Sequence, residues 1–245
     1  MAASSCLAAV RAAPPCRRRP RWRIIAQEPL SRQSRSHSPQ EEPPDVSPII
    51  LGIAGSPRVE GNTDTLLREV LRGAAAGGAA VEFLPLRDHR MRPCIECDRC
   101  QATGRCAIPD PVQAIHDKLL AADHVVFATP IFFAAVSAQA KILIDRCQCF
   151  WALRHVLHKP LYDPPRPHRK GLWLACCGFD KRWMFDGPRR TMKALFSVLE
   201  LAWGGELCYR HVDARGAILD HPTALADAYQ AGLALARAEP IRSTP

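Results

Sequence analysis

The chain has 245 residues, 47% of them hydrophobic, and a formal net charge of +9, enough for one domain with a real core plus an extension. No apolar run approaches the roughly 18 residues of a membrane-spanning helix, so the body reads as soluble, with no membrane partner. Eight arginines against one acid in residues 1–40 hold most of the charge, leaving the rest close to neutral and arguing against a nucleic-acid groove.

Residues 1–47 are rich in Ala, Arg, Pro and Ser without an apolar period, so this basic N-terminal extension is expected to be disordered. An organelle transit peptide, a nucleic-acid or membrane-surface tail, and a start codon set too far upstream all fit that composition. Order is expected from Pro48. Ile49–Ala54 is a short continuous apolar run, of the kind buried on both faces of a parallel sheet. A polar loop, 55–63, leads to Leu66, Leu67, Val70 and Leu71 at helical spacing, and Gly77-Gly78 ends that helix. A second strand is expected over 81–86, then a cysteine-rich loop over 93–110, a helix over 111–121 and a third strand over 124–128. One long helix is predicted from about Ser137 toward His155. Strand four over 171–176, a helix over 188–201, strand five over 206–212 and a last helix over 223–238 complete the order. Five strand–helix alternations imply a parallel sheet covered on both faces. Ligands of such sheets bind beyond the carboxyl ends of the strands, where the loops after strands one, three and four fall.

The loop Gly55-Ser56-Pro57-Arg58-Val59-Glu60-Gly61-Asn62-Thr63 joins a strand to a helix N-terminus, where unpaired amides and the helix dipole favour an anion. Ser56, Asn62 and Thr63 add donors and Arg58 a charge. The glycine spacing and the Asn62 in place of lysine exclude a Walker A loop, and G-x-G-x-x-G is not matched. Either a phosphate site or a capped helix satisfies this stretch. After strand three, Thr129-Pro130-Ile131-Phe132-Phe133 offers apolar side chains suited to a flat ring such as isoalloxazine, with core packing as the alternative. Cys177-Gly178, after strand four, can bring amides to the same edge. The vicinal Cys176 and Cys177 read as buried thiols. Cys147 and Cys149, two apart on one helix, are expected on different faces, with no shared site.

Eleven cysteines in a long chain without a convincing signal peptide suggest a reducing, cytoplasmic setting. Four of them, Cys94, Cys97, Cys100 and Cys106, follow C-x2-C-x2-C-x5-C. Soft thiolates packed so tightly suit an iron–sulfur cluster. Zinc sites of four cysteines usually come as two knuckles separated by about a dozen residues or more. Zinc, and four metal-free reduced thiols, stay open as alternatives.

Gly55-Ser56-Pro57-Arg58-x-x-Gly61-Asn62-Thr63, Pro130-Ile131-Phe132-Phe133 and Lys141-x-x-x-Asp145-Arg146 together resemble the flavodoxin-like NAD(P)H-dependent FMN reductase family. With the four-cysteine loop, the chain resembles the iron–sulfur flavoprotein branch over about residues 48–238. The resemblance implies an FMN-binding domain over 48–240 on a five-stranded doubly wound α/β sheet of order 2-1-3-4-5, with helices on both faces. It places the FMN phosphate on Ser56, Arg58, Asn62 and Thr63, with Gly61 in the same loop. The ring then lies against Pro130, Ile131, Phe132 and Phe133, near Cys177 and Gly178, and the four cysteines hold a [4Fe–4S] cluster. It implies an electron-transfer oxidoreductase that needs no acid–base residue, a ferredoxin or NAD(P)H as donor, and a homodimer or homotetramer. Lys141, Asp145 and Arg146 become candidate interface charges, or else a surface i,i+4 pair. An NAD(P)H-dependent FMN or quinone reductase without a cluster, and a zinc-bearing binding module on the same fold, are the competing functions. No role is assigned to the insert around 153–187.

Overall fold

The computed structural model describes residues 47–244; the expectation of a disordered basic extension falls, apart from Ser47, outside the described residues. Five strands, β1 (Ile49–Ala54), β2 (Ala80–Pro85), β3 (His124–Pro130), β4 (Lys170–Cys176) and β5 (Ala202–Tyr209), form one sheet. Their order is β2-β1-β3-β4-β5, every neighbouring pair parallel. Among the described residues seven α-helices accompany it: α1 (Asn62–Ala76), α2 (Cys100–Thr103), α3 (Val112–Ala121), α4 (Ala138–Arg146), α5 (Gln148–His155), α6 (Asp186–Val198) and α7 (Ala224–Ala236).

The alternation of side chains along a strand divides the core in two. Leu51, Ile53, Val125, Phe127, Trp173 and Ala175 face the layer of α3 to α6. Ile50, Ala54, Val126, Ala128, Leu172 and Leu174 face α1 and α7. Because both faces are covered, β1 and β3 are apolar almost throughout. The pair α1 and α7 crosses at glycines. A Cβ on Gly232 would lie 1.8 Å from the Val70 carbonyl oxygen, and one on Gly73 would lie 2.0 Å from that of Tyr229.

Two elements differ from the sequence reading. The helix expected from 137 to 155 is broken at Cys147, which ends α4 and starts α5. The break allows both Cys147 and Cys149 to face His116, with sulfurs 4.0 Å from Nε2 and 3.7 Å from Nδ1, so they share an environment after all. Strand five begins earlier, at Ala202, and ends at Tyr209. Gly204 and Gly205 mask its start, since glycine weakens the strand signal and marks a bulge. Gly205 has φ +128 there, and the register with β4 shifts opposite Gly171 and Leu172.

The insert before β4 contributes an anchor. Arg169 is fully buried and donates to the carbonyls of Leu119 (2.7 Å), Ala122 (3.0 Å) and Leu199 (2.6 Å). These are orphan acceptors at the ends of α3 and α6. Arg166 of the same segment pairs with Asp123.

Candidate functional site

The loop between β1 and α1 is tied down by its own polar groups. The Ser56 hydroxyl accepts from the Arg58 amide (3.1 Å) and donates to the Arg58 carbonyl (3.2 Å). Gly61 is the N-cap of α1 and brings no capping side chain. The first-turn amides therefore lack both a helical and a side-chain acceptor, which is the electrostatic condition for holding an anion. Ser56, Pro57, Arg58, Gly61, Asn62 and Thr63 form one wall of a cleft. The opposite side is made of Pro130, Ile131 and Phe132, with Cys176, Gly178, Val212 and Asp213 completing it.

Two residues expected at this cleft are employed differently from the sequence reading. Asn62 spends its side chain on the chain returning from β5. Its Nδ2 donates to the Ala214 carbonyl (2.9 Å) and its Oδ1 accepts from the Ile218 amide (3.3 Å). What it turns toward the cleft is chiefly backbone. Cys177 lies in the core rather than along the cleft, its amide and carbonyl paired with Tyr209 and Val212, while its neighbour Cys176 lines the cleft. Both thiols are buried, and burial pushes that of Cys176 up.

Phe132 and Ala135 exchange backbone hydrogen bonds around a tight turn in which Phe133 (φ +49) and Ala134 (φ +54) are both left-handed. Such turns normally carry Asn-Gly, so two residues with a Cβ store strain here, beside the cleft. Phe133 is fully exposed and does not line the cleft, whereas Phe132 is half exposed and does.

Beneath the loop, Asp64 in the first turn of α1 is buried against Arg87, which follows β2. Their charges approach to 2.8 Å, but the alignment falls short of a hydrogen bond. Burial raises the Asp64 pKa, and the Arg87 charge opposes the rise. Arg87 also reaches the Ser56 carbonyl at 3.4 Å, bracing the loop from behind. Nothing local announces this pair, because each residue alone has the look of a surface charge. Asp213 was missed for a different reason: it follows the strand whose end was misplaced.

The second candidate site hangs from the end of β2. Cys94 and Cys97 are exposed, Cys100 and Cys106 partly buried, and all four are free thiols. Glu96 (φ +52) and Asp98 (φ +57) twist the loop on both sides of Cys97, and Gly104 (φ +72) closes α2. The four thiols line one cavity of about 360 Å³, together with Ile95, Arg146 and a fifth cysteine, Cys149. Among the described residues no three His, Cys, Asp or Glu side chains converge as the ligands of a single metal ion. A zinc ion would need sulfurs about 3.8 Å apart, from a Zn–S bond of about 2.3 Å. A cubane, which is itself several ångströms across, is held by sulfurs spread more widely. The donor set and the shared cavity thus fit the larger group, without showing ligands already gathered.

Arg146 is not an interface charge. Its side chain is fully buried and paired with Asp110, while Lys141 and Asp145 form the exposed i,i+4 pair at 2.7 Å. Beside it, His116 is held to a pKa of about 4, first by burial and then by the Arg146 charge.

Residues 48–163 match the sequence model of the family described as NADPH-dependent FMN reductase. An iron–sulfur flavoprotein of Methanocaldococcus jannaschii is 45% identical over 97 residues, 40% of this chain and 50% of that protein. This segment is similar to the NADPH-dependent FMN reductase family and, within it, to proteins named iron–sulfur flavoproteins. An iron–sulfur flavoprotein of Archaeoglobus fulgidus is 36% identical over 104 residues, 42% of this chain and 53% of that protein. The chain thus spans about half the length of these curated relatives. Among solved structures, an NAD(P)H:quinone oxidoreductase of Methanothermobacter marburgensis shares the fold, with a TM-score of 0.54 at 15% identity over 78% of this chain and 96% of that one. Among the described residues no helix is long and apolar enough to cross a membrane.

Proposed function

We propose that this chain is an FMN-containing iron–sulfur flavoprotein, a cytoplasmic electron-transfer oxidoreductase. The observation that carries the reading is the placement of two sites on one rim of the sheet. One is an anion cradle at the unsatisfied N-terminus of α1, and the other a four-thiol cavity beyond β2. In this reading the amides of Gly61, Asn62 and Thr63, with Ser56, Thr63 and Arg58, hold the FMN phosphate. The enclosed part of the cleft is about 140 Å³, below the roughly 300 Å³ of a site that engulfs its ligand. The phosphate end is therefore held inside, and the ring rests on Pro130, Ile131 and Phe132 near Gly178, with Phe133 beyond it on the open side. Cys94, Cys97, Cys100 and Cys106 hold a [4Fe–4S] cluster.

When bound, flavin and cluster interconvert two-electron and one-electron chemistry. The protein's part is to position them and exclude competing reactions, so no side chain is assigned as acid or base. A ferredoxin or NAD(P)H is the donor, and a homodimer or homotetramer brings one subunit's thiol loop toward another's cleft.

The test is anaerobic purification of the full chain, with flavin, iron and sulfide counted and the visible spectrum taken before and after dithionite. About one FMN and four irons per chain are expected; a colourless protein overturns the reading. The second reading, an NAD(P)H-dependent FMN or quinone reductase without a cluster, uses the same cleft at α1 and leaves the four thiols free. Flavin without iron, reduced rapidly by NADPH, would establish it. Zinc without flavin would instead establish the binding module.

A further inference from the structure

The Arg146 side chain carries more hydrogen bonds than an ion pair needs. Nη1 donates to Asp110 Oδ2 (2.8 Å) and to the Arg92 carbonyl (2.8 Å). Nη2 donates to Asp110 Oδ1 (3.1 Å) and to the Ile108 carbonyl (3.3 Å). Nε is aimed at Cys106 Sγ, 3.1 Å away. Arg92 lies two residues before the first of the four cysteines and Ile108 two residues after the last. One planar fork therefore closes the thiol loop at both ends and touches a sulfur between them. Asp110 adds the Arg92 amide at 2.9 Å, so the closure is reciprocal. A guanidinium whose only task was to neutralise Asp110 would leave Nε for a carbonyl or for solvent.

We propose that Arg146 is the positioning residue of the iron–sulfur site. It holds the loop of residues 92–110 closed before iron arrives, and through its Nε–H bond to Cys106 raises the reduction potential of the bound cluster. The second half rests on the cluster reading given above. Reduction adds one electron to the cluster, whose sulfurs then carry more negative charge. A fixed cation and a hydrogen bond on one ligating sulfur stabilise that state more than the oxidised one. Arg146 and Asp110 act through Cys106 and the backbone, not on the donor or acceptor.

Two substitutions separate the halves. Arg146→Lys keeps a positive charge for Asp110 but has no donor equivalent to Nε, and Arg146→Gln removes the charge and the fork. In cluster-free full-length protein, amide exchange over residues 92–110 should quicken at least roughly tenfold in both variants. Exchange in β1 and β3 should match the parent, which reports that the domain is folded. In anaerobically reconstituted protein, titration followed by electron paramagnetic resonance should give a lower cluster potential for Arg146→Lys. The flavin potential should be unchanged. Parental exchange over 92–110 in both folded variants overturns the clamp; a parental cluster potential in an iron-replete Arg146→Lys protein overturns the tuning. Failure of the parent itself to bind iron defeats the cluster reading and the tuning with it. The exchange measurement still decides the clamp.

Discussion

Asn62 separates two ways in which a residue can matter to an anion cleft. If its side chain serves the closing chain at Ala214 and Ile218, as the bonds of 2.9 and 3.3 Å indicate, Asn62→Ala removes two largely buried hydrogen bonds and leaves a carbonyl and an amide without them. At about 1 kcal/mol net for each bond, the cost is about 2 kcal/mol, and more if the two groups stay dry. For a domain of this size that corresponds to a melting temperature lowered by roughly 4–8 °C. The first-turn amides, which belong to the backbone, stay in place, so FMN should bind within about tenfold of the parental affinity, a difference of about 1.4 kcal/mol. Urea denaturation of flavin-free protein and fluorescence titration with FMN measure the two quantities separately. Parental stability combined with more than tenfold weaker binding would refute this assignment, and would mean that the amide side chain touches the ligand.

Other perturbations probe the scaffold and the thiol loop. Gly232→Ala sets a methyl group 1.8 Å from the Val70 carbonyl oxygen, so α1 and α7 must part; overpacking of about 1–3 kcal/mol or more is expected in the same urea assay. His116 and His124 are both buried and each held to a pKa of about 4 by burial. The unfolded chain takes up these protons near pH 6.5, the folded chain only near 4. Stability is therefore complete above about 6.5 and declines as the pH falls toward 4, by on the order of 3 kcal/mol for each histidine. His116→Leu should flatten the decline, seen as a smaller difference between urea midpoints at pH 7 and 4.5. Cys97→Ser removes an exposed thiol of the cavity; iron per chain should fall well below the parental count while FMN per chain holds, by metal and flavin analysis of the same sample.

Much of the scaffold was legible because periodicity reports burial. The short apolar runs at 49–54 and 124–128 are of the kind found in strands covered on both faces, and the sheet order expected from the family resemblance is the one observed. The thiol spacing and the polar loop at 55–63 pointed to loops that each line a cleft or cavity in the structure. What stayed hidden depends on partners far away in sequence. Asn62 carries the look of a ligand-binding residue, yet its amide is committed 152 and 156 residues downstream. Arg146 is expected as an interface or surface charge and Arg169 sits in the insert given no role, because nothing local reveals that carbonyls and a sulfur will surround them. The helix break at Cys147 is equally invisible, since α4 and α5 each keep a helical pattern. The glycines of β5 erased its start, and Asp213 follows an end expected at Val212 but observed at Tyr209.

The thiol loop springs from β2, which has a neighbour on one side only and ends the sheet at its margin. The strands that carry the anion cradle and its facing wall lie further in, and the two cores that support them are formed mainly by other segments. The loop's exposed half, Cys94 to Cys97, can change without redrawing the interior, whereas its far half is fastened to the buried Arg146 through Cys106 and Ile108.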